Sequence, residues 1–244
     1  MRQEVFIKKF SKAIQEGNAA VFAGAGTSVD AGFVNWKKLV APFAAEIDLD
    51  IEKETDLVGL TQYYINKKRN RGSVNQEIIN QFSSQYAETE VMNLLTRLPI
   101  STYWTTNYDR VIENGLKKNN RRGDIKRKTD DLAISIRDSD AIVYKMHGDV
   151  DSPNDAVISK DDYERYSEKN SLFVTALRGD LVSKTFLFVG FGFEDPNLES
   201  ILGKIKNLLG ERTRNHYCIQ KKVSEQDYKN LEEYSYAKIK QELK

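Results

Sequence analysis

Four places in the sequence put polar or glycine-rich chemistry directly behind a short apolar run. The first run ends at Ala23 and leads into Gly24, Ala25, Gly26, Thr27 and Ser28. A strand, a glycine turn and a helix start, in that order, bring peptide N–H groups up to a phosphate, so this stretch suggests a nucleotide. The second place is TTNYD, from Thr105 to Asp109, where the Asn107 amide can both donate and accept hydrogen bonds. KMHGD is the third, with His147 and Gly148; an imidazole can take a proton near neutral pH. The fourth is GFGFEDPN, from Gly190 to Asn197, in which Gly190 and Gly192 allow a close backbone approach.

Each motif also has a plainer reading. Gly24-Ala25-Gly26 forms a tight turn without any ligand, and Val29 stands where the third glycine of a full dinucleotide fingerprint would fall. Asp109 is placed to cap the helix that follows it, and a lone histidine at a strand end can be a hydrogen-bonded structural residue. Asp195 followed by Pro196 reads as a helix cap with proline at the first helical position. Taken together the four point to one site, because ligands of open parallel sheets bind outside the carboxyl ends of the strands. His216 lies beside Tyr217 and Cys218 in a strand-like run, where core packing is expected.

The elements that must position these groups are legible as pattern. AAVFAG, STYWTTN, AIVYKMHG and TFLFVGFG are short, apolar or β-branched, and bounded by polar or glycine signals, so they read as buried strands; HYCIQ adds a fifth. Helical patterns lie between them, among them DRVIENGLKK and DPNLESILGKIKNLLG, the latter with Leu198, Ile201, Leu202, Ile205, Leu208 and Leu209 on one face. Phe6, Phe10 and Ile14 mark a first helix that Gly17 stops. Alternation of strands and helices predicts an α/β fold, a Rossmann-like parallel sheet with helices on both faces. From about Pro42 to Leu98 no strand interrupts TDLVGLTQYYINKK, VNQEIINQFSSQY and EVMNLLTRL, which predicts an inserted helical subdomain. The basic stretch KKNNRRGDIKRKTDD reads as a solvated connection rather than a phosphate contact.

Composition narrows the classes. With 37 Lys and Arg against 36 Asp and Glu, the net charge of +1 gives no global field for nucleic acid or a membrane, and neither is expected as a partner. Cys218 is the single cysteine, which excludes an intramolecular disulfide and any multi-thiolate zinc site and points to a reducing, cytoplasmic setting. The N-terminus lacks the continuous apolar core of a signal peptide, and no stretch reaches membrane-spanning length.

In series, GAGTSVDAGFVNW, TTNYD, KMHG and GFGFEDPN resemble the motifs of the sirtuin superfamily in order and spacing, from about Ala19 to Leu202. Deacylating sirtuins carry a zinc ribbon of two CxxC pairs, which one cysteine cannot build, so no zinc ribbon and no metal are expected. Where such enzymes have Pro-Asp-Phe-Arg, this sequence has Val34, Asn35, Trp36 and Lys37. TYWTTNYDR, YKMHGDV, KDDYE, DLVSKTFLF and DPNL instead resemble the zinc-free sirtuin-like domains of bacterial anti-phage systems, the Thoeris effector family above all.

That resemblance implies an NAD glycohydrolase that depletes NAD during infection, with NAD as substrate. It implies Asn107 and His147 as the catalytic pair, His147 as general base. Gly24, Ala25, Gly26, Thr27 and Ser28 would receive the pyrophosphate and ribose, Asn35 and Trp36 the nicotinamide, and Gly190 and Gly192 the adenosine half. Asp109 would orient a catalytic group or cap its helix. Gly192 stands where the family usually has a serine, one cofactor contact fewer. The family also implies a homo-oligomer, a tetramer or larger. It further carries a second, SLOG-type domain that senses a cyclic ADP-ribose signal, expected to be absent from these 244 residues, which form one NAD-binding domain with the insertion at roughly 42–98. Transfer of ADP-ribose to a macromolecule, and non-catalytic binding of NAD or ADP-ribose, are the alternatives.

Overall fold

A computed structural model of the chain describes residues 3–84, 86–192, 196–210 and 214–219. Helix α1 (Gln3–Gln15) turns through Gly17 into β1 (Ala19–Ala23), whose five residues are all buried. The glycine turn starts α2 (Ala25–Asp30), and a wholly helical stretch follows: α3 (Trp36–Glu46), α4 (Leu57–Lys68), α5 (Gly72–Phe82) and α6 (Glu90–Arg97). The chain then alternates through β2 (Thr102–Thr105), α7 (Val111–Lys118), β3 (Gly123–Lys126) and β4 (Ala141–Lys145). Short helices α8 (Lys160–Glu164) and α9 (Tyr166–Lys169) lead to α10 (Ser171–Ser183), β5 (Thr185–Val189), α11 (Pro196–Leu209) and β6 (Tyr217–Ile219).

Among the described residues the six strands form one sheet in the order β3-β4-β2-β1-β5-β6, every neighbouring pair parallel. Side chains alternate across it, as the strand period of two requires. Ala19, Val21 and Ala23 of β1, with Tyr103, Val143 and Leu187, face α1 and the helices of the insertion in one apolar core. Ala20 and Phe22, with Trp104, Phe186 and Phe188, face α10 and α11 in the other. Both faces are covered, which is why β1 and β5 read as unbroken apolar runs. The insertion does not build a core of its own: Phe43, Tyr64, Ile78 and Leu95 belong to the cluster that covers the sheet.

Two expectations are corrected. The basic stretch after α7 contains β3, an edge strand, rather than only a solvated connection. Its charges are buried because they satisfy one another: Lys126 pairs with Asp124 at 2.8 Å, and both side chains are 5% exposed. On α11, Leu198, Ile201 and Ile205 are buried and Leu202 partly so, but Leu208 is 84% exposed. At about 100° per residue Leu208 falls roughly 80° from Leu198, on the margin of the apolar stripe. The side chain of Leu209 and the whole of Asp195 lie outside the described residues.

His216 precedes β6 and packs edge-on to the rings of Phe186 and Phe188, while its Nδ1 accepts from the Phe186 N–H at 3.2 Å. Burial, with help from Arg214, pushes its pKa down from 6.5 to about 4. The folded chain thus takes up this proton later than the unfolded one, so its contribution is present above pH 6.5 and is lost as pH falls towards 4. The full shift corresponds to about 3 kcal/mol, of which about 2 kcal/mol falls between pH 7 and pH 5. Denaturant titrations at those two pH values should show wild type losing about 2 kcal/mol more than His216→Leu. Equal losses in the two proteins would remove this assignment.

Candidate active site

The carboxyl ends of β1, β2 and β4 open on an apolar-walled cleft lined by Ala25, Ser28, Val34, Trp36, Leu39, Phe82, Thr106, Asn107, Tyr108 and His147. The sheet order places it beside the reversal between β1 and β5, the position the doubly wound topology favours for a ligand.

The glycines of the first motif meet backbone. Gly26 N–H donates to the Gly190 carbonyl at 2.8 Å, and Gly24 N–H to the Val189 carbonyl at 2.9 Å. A Cβ on Gly24 would sit 2.5 Å from the Gly190 oxygen, and one on Gly26 2.8 Å from the Gly190 Cα. Gly190 itself has φ of +63°, and a Cβ there would lie 2.6 Å from the Thr27 nitrogen. The turn after β1 and the end of β5 are therefore pressed together without side chains between them. Thr27 Oγ1 donates back to the Gly24 carbonyl at 2.8 Å, closing the start of α2.

Asn107 is wired to this turn. Its Nδ2 donates to the Gly24 carbonyl at 2.9 Å and to Thr27 Oγ1 at 3.3 Å, and its backbone N–H donates to Thr105 Oγ1 at 3.0 Å. A carbonyl only accepts, so the amide nitrogen faces the turn and Oδ1 is the acceptor left to the cleft. Asp109 is buried behind it and does two jobs: Oδ1 accepts from the Val111 N–H at 2.9 Å at the start of α7, and Oδ2 accepts from the Ser28 hydroxyl.

His147 is buried at the end of β4, with the rings of Tyr163 and Tyr166 edge-on at 5.4 and 5.8 Å. Its carbonyl accepts from the Val157 N–H at 2.9 Å. Gly148 follows with φ of +91°, and a Cβ there would lie 3.0 Å from the Ala156 Cα, which gives the His-Gly pair a steric reason. Tyr163 also lies against Trp36, centroids 6.1 Å apart, and so bridges the start of α3 and the segment after β4. Arg71, at the start of α5, clamps the insertion to the same segment: it reaches Asp162 at 2.7 Å and the Ala156 carbonyl. Burial alone would raise the Asp162 carboxyl, but the Arg71 guanidinium and the Ser159 donors hold it below its usual range.

Of the residues expected at the site, Ala25, Ser28, Trp36, Asn107 and His147 line the cleft together. Gly24, Gly26, Thr27, Asp109 and Gly190 form the layer behind them. Asn35 is exposed and caps α3, its Oδ1 accepting from the Lys38 N–H at 2.9 Å, and Gly192 is exposed beyond β5. Thr106 and Tyr108 were present in the quoted motif without being assigned a role. Val34 and Leu39 come from the start of α3 and the residues before it, Phe82 comes from the insertion, and only their apolar character signalled them.

A buried ionic group underlies the site. Lys145 Nζ sits 3.2 Å from Glu113 Oε1 and 3.0 Å from Asp149 Oδ2, and Asp149 lies 3.3 Å from Arg127 Nε. Burial pulls Lys145 down, yet Glu113, Asp149 and Asp109 outweigh it and hold its pKa above the usual lysine value. Burial pushes the Glu113 carboxyl up against the pull of Lys145.

An all-parallel sheet with a glycine turn, an asparagine strand end and a His-Gly strand end around one cleft defines a sirtuin-type α/β domain. Residues 101–239, more than half of the chain, match the SIR2-like domain family, and the chain belongs to it. It is 50% identical over 248 residues to a protein named NAD(+) hydrolase ThsA from Cytobacillus dafuensis, covering 99% of this chain and 50% of that one. A protein of the same name from Bacillus cereus (strain MSX-D12) is 51% identical over 241 residues, 98% of this chain and 51% of its own. Defense-associated sirtuin 2 of Bacillus subtilis is 23% identical over 211 residues, 83% of this chain and 20% of its own. The chain spans about half the length of the first two. No helix among the described residues is long and apolar enough to cross a membrane.

The contact between the glycine turn and Gly190 yields a test. Gly24→Ala should lower stability by about 1–3 kcal/mol, the range for overpacking a site that cannot relax. An unchanged melting temperature would show that the turn does not need this approach.

Proposed function

We propose that this cleft hydrolyses the N-glycosidic bond of NAD, giving nicotinamide and ADP-ribose. The observation that carries the reading is the convergence of the glycine turn, Asn107 and His147 on one apolar-walled cleft. The name NAD(+) hydrolase, borne by two relatives near 50% identity, agrees with it. Trp36 adds a buried indole Nε1 with no acceptor among the described residues, a donor available to a polar ligand.

Nicotinamide leaves as a neutral base from a cationic ring, so the reaction needs little acid catalysis. The demanding part is an oxocarbenium-like ribose that must be held, shielded and offered one water. Asn107 Oδ1, its amide fixed by Gly24, accepts from a ribose hydroxyl or from the attacking water. His147 takes the proton, from the water or through a ribose hydroxyl. The glycine turn from Gly24 to Ser28, which has no bulky side chain to keep a ligand off its backbone, receives the pyrophosphate and ribose, and Trp36 with Val34 and Leu39 flanks the nicotinamide. NAD and water become nicotinamide, ADP-ribose and one proton. No metal takes part in this scheme.

Within the cell we read the chain as a cytoplasmic NAD-depleting domain of anti-phage defence, acting as a homo-oligomer of four or more copies. A cyclic ADP-ribose signal would reach it through a further domain.

Incubating the purified chain with NAD and separating the products should give nicotinamide and ADP-ribose in equal amounts. Asn107→Ala and His147→Ala should each lower the rate about 100-fold or more without loss of fold. Full activity in a folded His147→Ala protein would remove the general-base role. Label from NAD retained on a macromolecule would replace hydrolysis by transfer, and inhibition by a chelator would contradict the metal-free scheme.

A further inference from the structure

Lys145 lies on β4 two residues before His147, and its side chain has no solvent exposure. Its ammonium donates to the carbonyls of Tyr108, at 3.3 Å, and Asp109, the two residues directly after Asn107. The same nitrogen reaches Glu113 of α7 and Asp149, two residues after His147. Four acceptors surround three protons, and they come from both strand ends that carry the proposed chemistry. The Val150 N–H adds a second tie, donating to the Tyr108 carbonyl at 3.0 Å. Asp149 is fixed in turn by Arg127 and by the Asp151 N–H at 2.8 Å, and Asp151 is held by Arg110.

Buried ion pairs are a weak source of stability compared with packed apolar side chains of the same volume. What an ammonium supplies here, and an apolar chain cannot, is three donors from one atom into two successive buried carbonyls and the Glu113 carboxylate, with a charge that pairs with Asp149 of the neighbouring loop. Those bonds and the ion pair fix the direction of the backbone that carries Asn107 relative to the turn that carries His147.

We propose that Lys145 is a positioning residue that sets Asn107 and His147 relative to each other for ribose chemistry. The assignment to catalysis rests on the hydrolase reading above. Lys145 touches no substrate in this scheme; it acts through the Tyr108 and Asp109 carbonyls and through Asp149.

The test separates geometry from charge balance. Lys145→Met alone leaves Glu113 and Asp149 uncompensated, so it is combined with Glu113→Gln, which removes one cation and one anion and leaves Asp149 with Arg127. The double variant should melt close to wild type, keep KM for NAD within about threefold and lose at least about 30-fold in kcat. Hydrogen exchange of the segment 105–110 should accelerate at least about tenfold, while β1 and β5 stay protected. A double variant with wild-type kcat and unchanged exchange at 105–110 would overturn the proposal and reduce Lys145 to charge balance. If the double variant does not fold, Lys145→Arg carries the test: its planar fork cannot aim single donors at both carbonyls and Asp149. A folded Lys145→Arg protein should then show the same local exchange and kcat loss, and wild-type values of both would overturn the proposal. Absence of nicotinamide release from the wild-type chain would sink the hydrolase reading instead, and the exchange at 105–110 would still decide the positioning role.

Discussion

The hydrogen bond from Asn107 Nδ2 to the Gly24 carbonyl is the interaction on which the site depends. It ties the end of β2 to the turn after β1 and decides which way the amide faces, so that the group left to the cleft is an acceptor. The bond forms only because the turn itself is held in place. Gly24 and Gly26 lie against Gly190 at distances that no side chain would permit, and this fixes the Gly24 carbonyl where Asn107 can reach it. The short apolar strands matter to function through this contact. They bring three loop ends to one side of the sheet with a precision set by the parallel register.

Behind the cleft the polar groups are used up in holding one another. Ser28 is engaged by Asp109, Asp109 also by the Val111 N–H, and Lys145 by carbonyls and carboxylates of two loops. A layer of this kind is rigid because each member would be left buried and unsatisfied if it moved. The walls in front are apolar: Val34, Trp36 and Leu39 come from α3 and the residue pair before it, and Phe82 comes from the insertion. Polar positioning on the sheet side and apolar enclosure on the other suit a cationic sugar that must be oriented and kept from bulk water.

Much of this was legible in the sequence, for physical reasons. Buried parallel strands are short apolar runs, and loops at their ends keep glycine or polar residues, so β1, β2, β4 and β5 and their motifs stood out together. β3 did not, because GDIK carries two charges that neutralise each other only once the strand is paired, and a linear pattern cannot display that partnership. Lys145 was invisible for the same reason: a lysine next to a strand end reads as solvated, and its four acceptors lie 32 or more residues away or in the next turn. Asn35 illustrates the reverse limit. Its place before Trp36 marks both a pocket residue by family likeness and a helix cap by local chemistry, and in the structure it makes the cap bond.

The central claim is that the ribose of NAD lies between Asn107 and His147. Its most direct test is a crystal structure of the His147→Ala chain with NAD bound. The account predicts the anomeric carbon between the Asn107 amide and the vacated imidazole position. It also predicts the pyrophosphate against the glycine turn that begins α2 and the nicotinamide against Trp36. NAD bound elsewhere on the sheet edge, or in the cleft with its nicotinamide ribose out of reach of Asn107, would contradict it.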